Sequence, residues 1–146
     1  MSIKNAFSRL GITGRKIQRG EIYLIADDLI VLPETRLPSK PERELHESRP
    51  VLILQTNLDN DAPLYLTILV APLSRRVDLQ DQRDFKLSAR QAGLEHDSIV
   101  QLGLTQPVLK IDLQGNALGK VDDITMNDID AVLAANLGLI ERPQPR

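Results

Sequence analysis

A chain of 146 residues, 42% apolar and 26% charged, is long enough for one domain around one core. The absence of cysteine excludes a disulfide, a thiolate zinc site and a cysteine nucleophile, and fits a reducing compartment such as the cytoplasm. Residues 1–20 hold Lys4, Arg9, Arg15, Lys16 and Arg19 and no acid, so a net charge of −2 leaves −7 on residues 21–146, which argues against long-range attraction of nucleic acid but not against a local basic groove.

Residues 1–17 read as a basic N-terminal arm. Ile3, Phe7 and Leu10 fall at helical spacing, but no apolar stretch there or elsewhere is long enough to span a membrane. Ile22, Tyr23, Leu24 and Ile25 form a β-rich run, halted by Asp27-Asp28. Residues 32–48 are charged and contain Pro33, Pro38 and Pro41, which excludes a regular helix and predicts a mobile loop. Pro50 to Gln55 and Leu64 to Val70 read as an antiparallel hairpin around the turn signal Asn57-Leu58-Asp59-Asn60-Asp61.

Asp84 to Leu87 alternates as a half-buried strand does, and Ser88 to Gly93 reads as one helical turn. Ser98 to Leu104 and Val108 to Leu113 are two further strands, with Pro107 as the break. Gly115-Asn116 and Gly119 supply turns. The closing helix is expected to be capped by Thr125, with Ile129, Val132, Leu133 and Leu137 on one face and Gly138 at its end. Strands first and one helix last predict a mainly β fold, a small barrel with a helix packed on it, over residues 18–140. Residues 141–146 form a Pro-rich tail.

Two islands carry the candidate chemistry. Arg49 precedes a proline at the mouth of an apolar strand, where a guanidinium is suited to grip a phosphate through parallel hydrogen bonds. The alternative is a surface arginine paired with Glu47 or Glu44. Ser74 ends the run Val70 to Leu73 and is followed by Arg75-Arg76; it is either a turn residue or a hydroxyl facing an anion. His46 becomes an acid or base if the loop closes, and is otherwise solvated. Neither histidine stands at a metal-ligand spacing, so no metal is expected. His96-Asp97-Ser98 cannot form a relay, because neighbours on a strand face opposite ways.

With these residues in view, the chain resembles the MazF/PemK family of toxins from bacterial toxin–antitoxin pairs. The likeness runs from about Gln18 to Leu139. It rests on RGEIY (Arg19 to Tyr23), SRPVLIL (Ser48 to Leu54), QTNLDN (Gln55 to Asn60), VAPLS (Val70 to Ser74), GLEHDSIV (Gly93 to Val100) and the terminal helix. The resemblance implies an SH3-like barrel with a C-terminal α-helix, a homodimer, and metal-independent cleavage of single-stranded RNA without a cofactor. It implies Arg49 and Ser74 as catalytic and Arg19, Glu21, Gln55, Asn57 and Arg75 as substrate-binding. Glu47 and His46 are the nearby acid–base candidates. A cognate antitoxin with a disordered acidic segment is the implied partner. The chain departs from the family at residues 102–108, where a base-reading strand is expected and the sequence reads LGLTQPV, with Gln106 as a polar replacement. The second reading is an inactive copy, or a toxin that poisons another protein as CcdB toxins do.

Overall fold

A computed structural model describes residues 16–33, 36 and 45–142. The expectations placed on residues 1–15, on most of the 32–48 loop and on residues 143–146 of the tail lie outside the described residues. Among the described residues, seven strands and two α-helices follow in chain order, with short 3-10 turns between them: β1 (Glu21–Ala26), β2 (Ser48–Ile53), α1 (Asn57–Asn60), β3 (Thr67–Ser74), β4 (Phe85–Leu87), β5 (Ser98–Val100), β6 (Gln106–Leu109), β7 (Gln114–Lys120) and α2 (Asp123–Asn136). The strands form one curled antiparallel sheet in the order β4-β5-β3-β2-β1-β7, with β6 also on β3. This is the mainly β fold with a C-terminal helix that the sequence predicts.

The alternation of side chains along the central strands builds two apolar layers. Ile22, Leu52, Leu54, Ala71 and Leu73 face one way and join Val121, Met126 and Ile129 under α2. Tyr23, Ile25, Val51, Ile53, Ile68 and Val70 face the other way and join Ile17, Val108 and Leu113. Both faces of β2 are therefore buried, which explains its unbroken apolar run. Each fully buried Leu or Ile stabilises the fold by about 1.5–3 kcal/mol.

Several boundaries differ from the sequence reading. Pro107 lies inside β6, opposite Leu69, instead of breaking a strand; β6 pairs only with β3 and is an edge, where a missing N–H is tolerated. The segment with Gly115 and Gly119 is a strand, β7, whose register on β1 shifts between Ile22 and Leu24. Gly119 is needed there because a Cβ would stand 2.2 Å from the Ala92 carbonyl oxygen. The terminal helix starts earlier than expected: Asp122, not Thr125, is its N-cap, accepting from the Thr125 N–H at 2.7 Å. That bond holds the Asp122 carboxyl below its ordinary value. At the other end Gly138 (φ +73) and Leu139 donate to the Ala135 and Ala134 carbonyls, a Schellman stop.

Lys110 is buried, with its Nζ donating to the carbonyls of Asp59, Asn60 and Ala62 at 3.1–3.3 Å. It closes the C-terminal end of α1 from below. Burial pushes its pKa down, opposed by the charges of Asp61 and Asp59.

Candidate active site

β2 and β3 pair in a register that sets Val51 opposite Pro72, Leu52 opposite Ala71 and Ile53 opposite Val70. Carried two residues further, the same register sets Arg49 opposite Ser74. Arg49 is also opposite Ile25 on β1, and Ser74 is opposite Ile99 on β5. One cross-strand row therefore runs Ile25, Arg49, Ser74, Ile99, on the face that carries Tyr23, Val51 and Val70. The two islands thus meet at the rim of the second apolar layer.

Arg49 is not paired with Glu47; Glu44 lies outside the described residues. Its Nε donates to Asp27 Oδ1 at 2.6 Å and its Nη1 donates to the Leu73 carbonyl at 2.8 Å. The Asp27 side chain is wholly buried, and that of Arg49 is 12% exposed. Asp27 Oδ2 accepts from the His46 backbone N–H at 2.9 Å, which fixes the exit of the long loop to the same carboxylate. Nη2 of Arg49 has no hydrogen-bond partner among the described residues and remains available as a donor. Asp27 is the site residue that the sequence reading missed, taking it for a strand stop. The signal was the alternation itself, since Tyr23, Ile25 and Asp27 fall on one inward face.

Around this pair, Ser74 Oγ accepts from the Arg76 N–H at 3.2 Å and keeps its own proton to donate. Arg76 is held by Asp78, whose carboxyl its hydrogen bonds keep below the ordinary value. Arg75 is exposed and has no ion pair among the described residues, so its charge is the less compensated of the two. The side chains of His46 and Glu47 are exposed beside the loop exit.

The other candidates lie elsewhere. Gln55 is six residues along the chain from Arg49, roughly 20 Å of extended strand. Gln55 donates to the Thr67 carbonyl and accepts from the Leu69 N–H, both at 3.3 Å, prolonging the β2–β3 ladder with its side chain. Asn57 accepts from the Arg19 N–H, and Arg19 spans from the Leu54 carbonyl to Asp130 on α2. Glu21 accepts from the Gln18 N–H at the start of β1. Arg19, Glu21, Gln55 and Asn57 thus form one end of the sheet, and Arg49, Ser74, Arg75, His46 and Glu47 the other.

The 32–48 loop is fastened at two described points, Arg36 and His46, and at Val31 just before it. Gln106 binds both the N–H and the carbonyl of Val31, at 2.8 and 3.0 Å, so this side chain is engaged within the chain. Arg36 donates to the Leu79 carbonyl and pairs with buried Asp84 and with Asp81. Burial raises the Asp81 pKa, but hydrogen bonds from Arg83 and the charges of Arg36 and Arg83 outweigh it and leave the carboxyl below its ordinary value. His46 is held through its N–H by Asp27. Among the described residues no group of three His, Cys, Asp or Glu is arranged to hold a metal ion.

Among known proteins, residues 18–137 match the family described as PemK-like, MazF-like toxin of type II toxin–antitoxin system. No curated protein matches the chain. Solved structures with a similar fold include the Mycobacterium tuberculosis toxin MazF-mt6, at 20% identity and TM-score 0.60, covering 81% of this chain and 96% of that one. An endoribonuclease in complex with its cognate antitoxin, from a mycobacterial species, aligns at 21% identity and TM-score 0.59, covering 90% of this chain and 99% of that one. MazE–MazF from Deinococcus radiodurans aligns at 13% identity and TM-score 0.60, covering 85% and 97%. At these identities the likeness is one of fold.

Proposed function

The chain belongs to the PemK-like, MazF-like family of toxins of type II toxin–antitoxin systems, and from that premise we propose that it is a metal-independent endoribonuclease acting on single-stranded RNA. The observation that carries this reading is Arg49, gripped on one side by a buried carboxylate and on the other by a carbonyl, opposite a hydroxyl, with Nη2 open.

In this reading the substrate's 2′-oxygen bonds to the adjacent phosphorus while the bond from phosphorus to the 5′-oxygen breaks. The 2′-hydroxyl proton passes to a base, for which His46 and Glu47 are at hand, and the departing 5′-oxygen takes up a proton. The products are a 2′,3′-cyclic phosphate and a 5′-hydroxyl. Arg49 offsets the charge that builds on the phosphorane, and Ser74 donates to one of its oxygens. Arg75 meets a neighbouring phosphate. Arg19, Gln55 and Asn57, tied into the fold at the far strand ends, bind RNA only beyond the scissile step.

The same surface suits a cognate antitoxin, whose acidic segment competes with RNA for Arg75 and Nη2 of Arg49. A homodimer belongs to the proposal as well. Leu66, Leu69, Leu109 and Ile111 are exposed on and beside the paired strands β3 and β6, an apolar face of the kind a second copy covers. No described helix is long and apolar enough to cross a membrane, and the cytoplasm, where messenger RNA is available, is the proposed compartment.

The test is end-group analysis of single-stranded RNA incubated with the purified chain in a chelator. Fragments with 2′,3′-cyclic phosphate and 5′-hydroxyl ends are expected. Intact RNA, or fragments ending in a 3′-hydroxyl, would sink the reading; growth arrest with intact cellular RNA would favour a toxin acting through protein contact.

A further inference from the structure

We infer that Asp27 is a positioning residue of this site, holding the Arg49 guanidinium and the backbone of the acid–base segment in one geometry; the inference rests on the endoribonuclease reading of Arg49. Asp27 follows β1 by one residue, on the inward face of Ile25. Its backbone N–H meets the Glu47 carbonyl at 3.3 Å, so Asp27 stands opposite Glu47 and diagonal to Arg49. From there Oδ1 reaches Arg49 Nε at 2.6 Å and Oδ2 takes the His46 N–H at 2.9 Å.

A guanidinium is planar, so fixing Nε and Nη1 on two different acceptors fixes its plane and the direction of Nη2. Leu73 supplies the second acceptor, and Leu73 is the residue before Ser74. The donor of Arg49 is therefore oriented relative to the hydroxyl of Ser74, not merely near it. The second oxygen of Asp27 ties the chain at His46, the residue before Glu47, to the same frame. One carboxylate thereby couples the half of the site that binds charge to the half that moves the proton. Asparagine cannot do both, because it has one acceptor oxygen and an amino group that would face the His46 N–H.

Misplacing a reacting group by about 1 Å costs on the order of 100-fold in rate. Asp27→Asn should therefore lower kcat by roughly 10- to 100-fold with KM changed less than about 3-fold, since the group being misaligned acts in the transition state. In an Arg49→Lys background, which keeps a cation but has no Nε–H to hold, the same substitution should cost little more. An independent readout is proton exchange of the Arg49 Nε–H by nitrogen-15 NMR, slow in the wild-type chain and fast in Asp27→Asn. If the single variant fails to fold, the Asp27→Asn, Arg49→Lys pair, which removes the buried carboxylate charge, carries the comparison against Arg49→Lys alone. Unchanged kcat in a folded Asp27→Asn, or an equal loss with and without Arg49, overturns the inference. If the wild-type chain cuts no RNA, the reading beneath it fails, and the exchange measurement still decides whether Asp27 orients Arg49.

Discussion

Arg49, catalytic in the proposed function, is a structural residue of the fold as well. Replacing it with alanine leaves the Asp27 carboxylate buried without its guanidinium, and breaking a buried pair from one side costs about 3–5 kcal/mol. Arg49→Ala is thus expected to abolish RNA cutting and also to lower the urea midpoint markedly, whereas from sequence alone the fold would be expected to survive unchanged. Adding Asp27→Asn to that variant should restore much of the lost stability and none of the activity; equal midpoints for the single and double variants would contradict this. Ser74 is different. Its hydroxyl accepts one bond at the end of a turn, so Ser74→Ala should cut the cleavage rate about 100-fold or more while unfolding within about 0.5 kcal/mol of wild type.

At the scale of elements, the strands with β-branched, apolar runs were legible. Ile22 to Ile25, Val51 to Ile53 and Ile68 to Val70 carry their own signal. β7 was not legible, because its glycines resemble turns and its strand character comes from pairing with β1. The helix start was misjudged by three residues because Asp122 and Thr125 are both good caps, and only the direction of their hydrogen bond separates them. In the site, the pairing of Arg49 with Ser74 follows from the register of two legible strands. Asp27 was hidden because its partners His46, Glu47 and Arg49 come from far along the chain. Gln55, which the resemblance names as a substrate ligand, also prolongs the β2–β3 ladder with its side chain, and nothing local in the sequence reveals that second role.

Two expectations follow at this scale. Gly119→Ala forces a Cβ against the Ala92 carbonyl at a crossing with no flexible side chain to yield; a loss of about 1–3 kcal/mol in thermal or urea unfolding is expected. The Asp122 cap acts through its ionised form. With its pKa lowered in the fold, the unfolded chain binds the proton more readily, so the cap's stabilisation is complete above the ordinary carboxylate value near ~4 and fades as pH falls through the lower folded value. The difference in melting temperature between wild type and Asp122→Ala should therefore shrink on acidification, as a pH series of thermal melts would reveal.

For the whole molecule, the sheet leaves β6 as an edge and an apolar face beside it. If that face joins two copies, Leu69→Glu should convert the dimer to a monomer in light scattering at micromolar concentration while each copy stays folded, because Leu69 is exposed and belongs to neither buried apolar layer. A dimer that persists in Leu69→Glu would send the search for the interface to the exposed Leu137, Leu139 and Ile140 beyond α2.

The shared use of Arg49 by the fold and by the proposed chemistry has a genetic consequence. Cells that escape a poisonous protein do so by whichever change is most easily tolerated, and the two halves of this site differ in what silencing them leaves behind. A survivor altered at Ser74 should still accumulate a folded, harmless protein that can engage the antitoxin. A survivor altered at Arg49 should instead lose the protein itself to proteolysis, unless Asp27 changes with it. Dormant copies that persist through many generations are then expected to have lost the hydroxyl first, with the arginine and its buried partner retained or lost as a couple.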